Sequence, residues 1–341
     1  MQQLAFLGPG RVEWQEVREP TLEAPTDSLV RPVAVTLCDA DLLMLRGELP
    51  ASGPFAFGHE FAGEIVGLGE RVTGFSVGQI VLLPVEISCG ACERCRRGLT
   101  GFCRAVRNPA AWGLGPFGGN WPGAFSDLLR IPFAQHMMVP LPHGIELRAA
   151  VSAGDNLSDA WRTVAPHLRE NPGAKVLVVG RASIGLFAVA IARALGASVV
   201  DYLDTDPARL SLAGSLGANP IEGPPRDPVG SYPITVDASF DPAGLVCALR
   251  SIAAAGVCTS VPVYFQDTPL PLFDMWRRGV RFQTGPANCR ARMSDLLDLV
   301  QAGRIHPERV TTGVVAWKDL AEALADPPMK PLILRDAAQP L

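Results

Sequence analysis

Lys175-Val-Leu-Val-Val179-Gly180-Arg-Ala-Ser-Ile-Gly185 is the stretch on which the fold turns. The aliphatic run after Lys175 is short and closed by glycine, which reads as a strand buried on both faces. From residue 183 to 195 apolar residues then recur at helical spacing. A buried strand running through a tight turn straight into a helix is the opening of a strand–helix–strand unit. The pattern continues downstream. Residues 198–204, 234–238 and 257–263 read as further strands, and 207–216 and 242–254 as the helices between them. Such alternation predicts an α/β architecture with a parallel sheet covered on both faces. Residues 220–233, rich in Pro and Gly, are expected to form an exposed loop.

Upstream of about residue 145 the chain changes character. Residues 33–37, 61–69 and 77–83 are β-prone runs separated by Gly-rich turns. After about 290 two helical patterns follow, at 293–302 and 318–325. The expected division is therefore 1–150, 151–290 and 291–341, the last completing the edge of the parallel sheet and returning to the first domain.

Gly180-Arg-Ala-Ser-Ile-Gly185 is similar to the dinucleotide fingerprint G-x-G-x-x-G, with Ala182 in place of the middle glycine. That glycine lets the backbone approach a pyrophosphate, and the helix that follows offers the positive end of its dipole to phosphate. Asp204 closes the next strand. A carboxylate there accepts hydrogen bonds from ribose hydroxyls and repels a 2′-phosphate; Thr205 follows it, with no adjacent Arg or Lys. This favours NAD over NADP. The bland alternative for Asp204 is a solvated acid at a strand end. Gly180, Ala182, Ser183, Ile184, Gly185, Asp204 and Arg209 form the candidate cofactor set.

Cys89-Gly-Ala-Cys92-Glu-Arg-Cys95, followed by Cys103, has the spacing C-x2-C-x2-C-x7-C within one loop. Thiolates so spaced can close a tetrahedral Zn²⁺ site without distant partners, which makes the site structural. Clustered buried or disulfide-bonded thiols are the alternative. Cys38-Asp39-Ala40-Asp41 and Gly58-His59-Glu60 place a further Cys and His upstream. Singly, each is more often structural than a ligand.

Taken in order, the Cys38-x-x-Asp41 segment, Gly58-His59-Glu60, the four-cysteine loop and the nucleotide half with Asp204 resemble the zinc-dependent medium-chain dehydrogenases, the alcohol dehydrogenase family. The resemblance covers nearly the whole chain. It implies a β-rich GroES-like catalytic domain and a Rossmann, doubly wound parallel-sheet domain. It also implies a catalytic zinc on the residues matching Cys38 and His59, beside the structural zinc on Cys89, Cys92, Cys95 and Cys103. The family's third ligand is often a second Cys. That slot falls in Ser152-Ala-Gly-Asp155-Asn-Leu-Ser-Asp-Ala-Trp161, where Asp155 matches the subgroup that uses Asp; the same carboxylate could instead cap the next helix. Glu60 is implied as an alternate ligand or as a neighbour of the metal, and Lys330 as a basic residue near the pyrophosphate. The resemblance further implies a homodimer or homotetramer, acting on a small-molecule alcohol, aldehyde or ketone.

Two departures matter. The family's proton-relay hydroxyl falls at Ala40 and a relay His of some members at Leu43, and neither residue can pass a proton. Asp39 stands where a neutral or basic residue is usual. The expected function is zinc-dependent hydride transfer between NAD(H) and an alcohol/carbonyl pair. Alternatives are polyol, threonine or formaldehyde dehydrogenase on the same scaffold, or a dinucleotide binder with impaired turnover. A net charge of −4 supplies no basic face, so nucleic acid is not an expected partner. The N-terminal segment has no signal-peptide pattern, and no apolar run reaches about 18 residues, so a cytoplasmic protein without a membrane span is expected.

Overall fold

The computed structural model describes residues 1–226 and 228–335. Its strands are β1 (Gln2–Gly8), β2 (Arg11–Glu16), β3 (Ser28–Thr36), β4 (Phe55–Ala56), β5 (Glu60–Leu68), β6 (Ile80–Leu83), β7 (Leu129–Ile131) and β8 (Val139–Pro140). There follow β9 (Val176–Val179), β10 (Val200–Asp204), β11 (Asn219–Glu222), β12 (Tyr232–Asp237), β13 (Ile252–Ser260) and β14 (Arg281–Gln283), and finally β15 (Gly313–Ala316) and β16 (Pro331–Leu334). The chain divides into two compact units. The first comprises residues 1–158, 288–303 and the described residues from 307 onward; the second comprises 159–287 and 304–306.

In the first unit β2-β1-β4 form a small antiparallel sheet, and β15-β16-β3-β5-β6-β8 run in that order through a larger one, with β7 paired to β3. Phe6, Phe57, Phe61, Trp112 and Phe125 are fully buried in the core of this unit. Phe61 and Trp112 meet edge to face, with centroids 6.1 Å apart. Phe57 and Trp112 are thus core residues. Thr36 pairs with Glu60 in the antiparallel β3–β5 ladder. Cys38, just past the end of β3, and His59, just before β5, therefore flank the same end of one strand pair.

The second unit holds a parallel sheet in the order β11-β10-β9-β12-β13-β14. All four residues of β9 are buried, which is why the run after Lys175 does not alternate. Connections leave β9 for β10 on one side and later return to β12 on the other. The crevice at the carboxyl end of β9 is thus a topological switch point, where open α/β sheets bind ligands.

Several expectations are corrected. The stretch 220–233 is not all loop: β11 pairs with β10, and Tyr232 and Pro233 belong to β12. Pro220 is tolerated because β11 is an edge strand with a neighbour on one side only. The helix expected at 242–254 is Pro242–Arg250, because residues from Ile252 onward pair with β12. Among the described residues the segment after 291 adds no strand to the parallel sheet, whose edges are β11 and β14, while β15 and β16 return to the first unit as expected. The first unit also extends beyond residue 150, through Ser158. The turn Val151–Gly154 packs on β5, β3 and β6, so it stays with their sheet. Among the described residues no helix is long and apolar enough to cross a membrane.

Candidate active site

Cys38 caps the helix Asp39–Leu45 in extended conformation, and its backbone N–H donates to Asp41 Oδ2 at 3.0 Å. The other oxygen, Asp41 Oδ1, faces His59 Nδ1 at 3.4 Å. Asp41 therefore braces both residues from behind. His59 Nε2 points the opposite way, 3.2 Å from Asp155 Oδ2. Asp155 reaches this place because Gly154 lies directly against β6: a Cβ there would sit 2.2 Å from the Leu83 carbonyl oxygen. Val85 donates to the Gly154 carbonyl at 2.8 Å and fixes the approach. The result is a group of one Sγ, one imidazole nitrogen and one carboxylate oxygen, all buried and all within 4.8 Å of one another.

Burial pushes the Cys38 thiol well above its ordinary value, and Asp155, Asp41, Asp39 and Glu60 push it further. Burial opposes charge on His59, but Asp41 and Asp155 outweigh it and raise the imidazole to about 9. Asp155 is held below the ordinary carboxylate range; burial opposes this and the His59 contact prevails. A surplus of negative charge thus surrounds one thiol and one imidazole, an environment that a divalent cation would neutralise. Cys, His and Asp are donors suited to Zn²⁺, and the Asp41–His59 contact is the arrangement that orients a ligating imidazole. The residues fit the metal.

Glu60 and Lys330 are almost wholly inaccessible and form an ion pair, Nζ to Oε2 2.7 Å. Lys330 Nζ also donates to the Leu37 carbonyl at 2.8 Å. Lys330, expected as a basic residue near the pyrophosphate, is placed here by its ion pair with Glu60. It precedes β16, and β16 pairs with β3 at Leu332–Thr36, which brings the ammonium to the segment before Cys38. Burial pushes Glu60 up to about 8, with Lys330 pulling it back. Asp39, at the position unusual for the family, is buried and accepts from Asn156 Nδ2 at 3.4 Å. Leu43 is also buried.

The four-cysteine loop closes on itself, with its Sγ atoms within 4.8 Å of one another and none in a disulfide. Tetrahedral Zn–S bonds of about 2.3 Å imply S–S edges of about 3.8 Å, compatible with this cluster. Backbone N–H groups point at the sulfurs: Cys89 at Cys103 Sγ (3.3 Å), Cys92 at Cys89 Sγ (3.4 Å) and Arg104 at Cys92 Sγ (3.5 Å). Such donors stabilise thiolate, and those from Arg104 and Cys95 bring Cys92 down to about 6.

In the second unit, Gly180 follows β9 and lies against the ring of Tyr202. A Cβ at Gly180 would lie 2.2 Å from the Tyr202 hydroxyl, so no other residue fits without displacing it. Gly185 is also tight, with Gly180 Cα and Tyr202 Cε2 at 3.4 and 3.3 Å from its would-be Cβ. Ala182 is extended at φ −148°, a conformation that any residue adopts, so the missing middle glycine strains nothing here. Ser183 and Ile184 are buried and open the helix Ser183–Ala194. Asp204 carries Arg209 against it: Nε donates to Oδ2 and Nη2 to Oδ1, both at 2.7 Å.

The alcohol dehydrogenase GroES-like domain matches residues 24–143. The alcohol dehydrogenase TADH of Thermus sp. ATN1 superposes with a TM-score of 0.90 at 30% identity, over 98% of this chain and 100% of that one. The chain belongs to the zinc-type alcohol dehydrogenase family. Within it, a protein of Mycobacterium tuberculosis named as a probable zinc-binding alcohol dehydrogenase is 28% identical over 333 residues, 95% of this chain and 85% of that protein. A glutathione-independent formaldehyde dehydrogenase of Pseudomonas aeruginosa is 33% identical over 227 residues, 63% of this chain and 56% of that protein. This family member is therefore an alcohol dehydrogenase-type oxidoreductase with a GroES-like domain and a Rossmann-like parallel sheet.

Three features of this alcohol dehydrogenase relative escape a reading of the sequence. Asp41 stands in the Cys38-x-x-Asp41 segment, but its two-sided bracing of Cys38 and His59 is invisible there. The Glu60–Lys330 pair joins residues 270 positions apart. The Arg209 clamp on Asp204 has a sequence signal, a basic residue five positions on, but nothing in the spacing says where its side chain turns.

Proposed function

We propose that the protein is a zinc-dependent, NAD-linked dehydrogenase that interconverts a small alcohol and its aldehyde or ketone. The observation that carries this reading is the convergence of Cys38, His59 and Asp155 within 4.8 Å in the first unit. When bound, Zn²⁺ acts as a Lewis acid toward the substrate oxygen, and the nicotinamide ring takes or gives the hydride. A thiolate, a neutral imidazole and a carboxylate balance the charge of the ion, so Asp155 does the electrostatic work of a second thiolate. Asp41 keeps the His59 proton on Nδ1 and leaves Nε2 for the metal. Glu60, held by Lys330, is kept at the site beside the His59 ligand, with burial raising its pKa and Lys330 pulling it back.

The four-cysteine loop holds a second, structural zinc in this reading. Gly180, Ala182, Ser183, Ile184 and Gly185 receive the pyrophosphate at the helix N-terminus, and Asp204 with Arg209 meets the adenosine ribose. Leu272, Phe273 and Trp276 are strongly exposed on the helix Leu272–Arg278, with Phe273 and Trp276 stacked 6.1 Å apart. An exposed aromatic group of this kind supports self-association, so we propose a homo-oligomer that covers it. Light scattering on Trp276→Asp is expected to show a smaller species than the parent protein.

A panel of alcohols and carbonyls that includes formaldehyde, read as NADH absorbance, tests the activity. Absence of turnover with every member of the panel at saturating zinc and cofactor would overturn the reading. The relay positions yield a second expectation. With Ala40 and Leu43 unable to pass a proton, alcohol oxidation is expected to be slow near neutrality and to climb with pH as hydroxide takes the proton directly. General base help contributes on the order of 10²–10⁴-fold. Ala40→Ser is expected to raise kcat and flatten the pH profile. A parent enzyme already fast and pH-independent, unchanged by Ala40→Ser, would show that the proton leaves by another route.

A further inference from the structure

The four-cysteine loop and the group Cys38, His59 and Asp155 share no residue, yet a chain of contacts within the first unit joins them. It starts at the turn Thr100–Phe102, between Cys95 and Cys103. The Thr100 hydroxyl donates to Glu86 Oε1 at 2.5 Å, and the Gly101 backbone N–H donates to Asn288 Oδ1 at 2.9 Å. Glu86 Oε1 also accepts from the Arg290 backbone N–H at 3.0 Å. Glu86 and Thr100 are buried, where hydrogen bonds are stronger than in water. Asn288 has φ 55°, a left-handed conformation in which asparagine is enriched, and it opens the turn Cys289–Ala291. Both neighbours of Cys289 are thus anchored, one to the loop directly and one through Glu86.

Cys289 carries the contact onward. It is fully buried, and its thiol donates to the Asp155 carbonyl at 3.8 Å. The residue before Asp155 is held from the same place, because Val85, next to Glu86, donates to the Gly154 carbonyl at 2.8 Å. Two consecutive carbonyls are therefore fixed by Val85–Glu86 and by the turn that Glu86 holds. That turn packs on both Thr100–Phe102 and Val151–Gly154. It also grips the start of the loop: the Arg290 guanidinium donates to the His136 carbonyl, and the His136 ring lies 3.0 Å from the Ser88 hydroxyl.

We propose that Glu86, Asn288 and Cys289 are positioning residues for the catalytic metal, tying the main chain of Asp155 to the four-cysteine loop so that the closed loop presets the third ligand. The inference rests on the reading of Cys38, His59 and Asp155 as a zinc group. Cys38 and His59 are placed by the β3–β5 register and by Asp41. Asp155 arrives from another segment, and its carboxylate goes where its main chain puts it. Metal–ligand distances hold within about 0.2 Å, so a small shift of that main chain is felt as metal affinity. Residues that orient ligands typically cost about 10–100-fold in affinity when replaced. A brace serving packing alone would change the melting temperature and leave the metal untouched.

The test is competition for Zn²⁺ between the full chain and a chromophoric chelator, which needs no turnover. The parent is expected to give up two equivalents in two phases, and the phase missing from Cys38→Ser identifies the group containing Asp155. Cys289→Ala is expected to weaken that phase by about tenfold or more. The other phase, held by four untouched cysteines, should stay within about threefold. Cys289→Ser, which keeps a donor toward the Asp155 carbonyl, should recover most of the loss. Glu86→Ala should act as Cys289→Ala does, and Glu86→Gln, which keeps an accepting oxygen, should act less. Melting curves identify any loss of fold; if Glu86→Ala does not fold, the two Cys289 variants carry the comparison. Cys289→Ala with the parent's affinity in that phase would overturn the inference and leave the zinc reading standing. So would a loss shared equally by both phases, which is what a loosened fold gives. A parent that yields a single equivalent, still present in Cys38→Ser, would overturn the zinc reading itself, and the inference with it.

Discussion

Asp155→Ala is expected to abolish turnover while the protein stays folded. Lewis-acid stabilisation at a metal site contributes several kcal/mol, on the order of a thousandfold or more at about 1.36 kcal/mol per decade. Zinc content should fall from about two equivalents per chain toward about one, since the four-cysteine loop shares no residue with the group Cys38, His59 and Asp155. Asp155→Cys, which installs the donor commoner in the family, should keep the second equivalent. The competing account makes Asp155 a helix cap only. A cap is worth about 0.5–2 kcal/mol of stability and nothing in metal content. Full zinc retention with a modest drop in melting temperature would therefore favour that account. The His59–Asp155 contact at 3.2 Å, with Asp41 braced behind the imidazole, is the reason to expect otherwise.

Lys330→Met should have the largest effect on stability. Glu60 and Lys330 are 0% and 1% exposed at the side chain, so removing the cation strands a carboxylate in the core. Breaking such a pair costs about 3–5 kcal/mol when the partner remains charged. The sign with pH follows from Glu60, whose folded value is raised by burial to about 8, above its unfolded value. An acid raised in this way binds more protons folded than unfolded, so its contribution to stability falls as pH rises. Lys330 limits that fall in the parent protein, and its loss lifts Glu60 further. The variant should be close to the parent at mildly acidic pH and increasingly less stable above about pH 8. Glu60→Gln combined with Lys330→Met should recover most of the loss, because both partners are then neutral. A Lys330→Met protein as stable as the parent at alkaline pH would show that the pair carries no buried charge.

The legibility of these features in the sequence divides along a physical line. Local signals read well. The run Val176–Val179 followed by Gly180 and a helical pattern could be little else, because a fully buried strand and an amphipathic helix have different periods. The convergence of the four-cysteine loop is legible too, since its thiols are close in sequence and need no tertiary information to meet. Cys38 and His59 were weaker, being single residues whose proximity depends on the Thr36–Glu60 register of β3 and β5. Asp155 came from family likeness rather than from any spacing, and what brings it to His59 is the contact of Gly154 with the β6 backbone. Lys330 beside Glu60 is illegible in the sequence for the same reason. Its position follows from β16 pairing with β3 across most of the chain, and no local pattern encodes that. Strand β11 was hidden by Pro220, a residue that argues against a central strand but not against an edge.

The most direct test of the central claim is anomalous diffraction above and below the zinc edge on crystals of the protein purified without chelator. The account predicts two peaks per chain. One lies inside the four-cysteine loop. The other has Cys38 Sγ at about 2.3 Å and nitrogen and oxygen from His59 and Asp155 at about 2.0–2.2 Å. A single peak in the four-cysteine loop, with Asp155 still turned onto a protonated His59 and no metal between them, would contradict it.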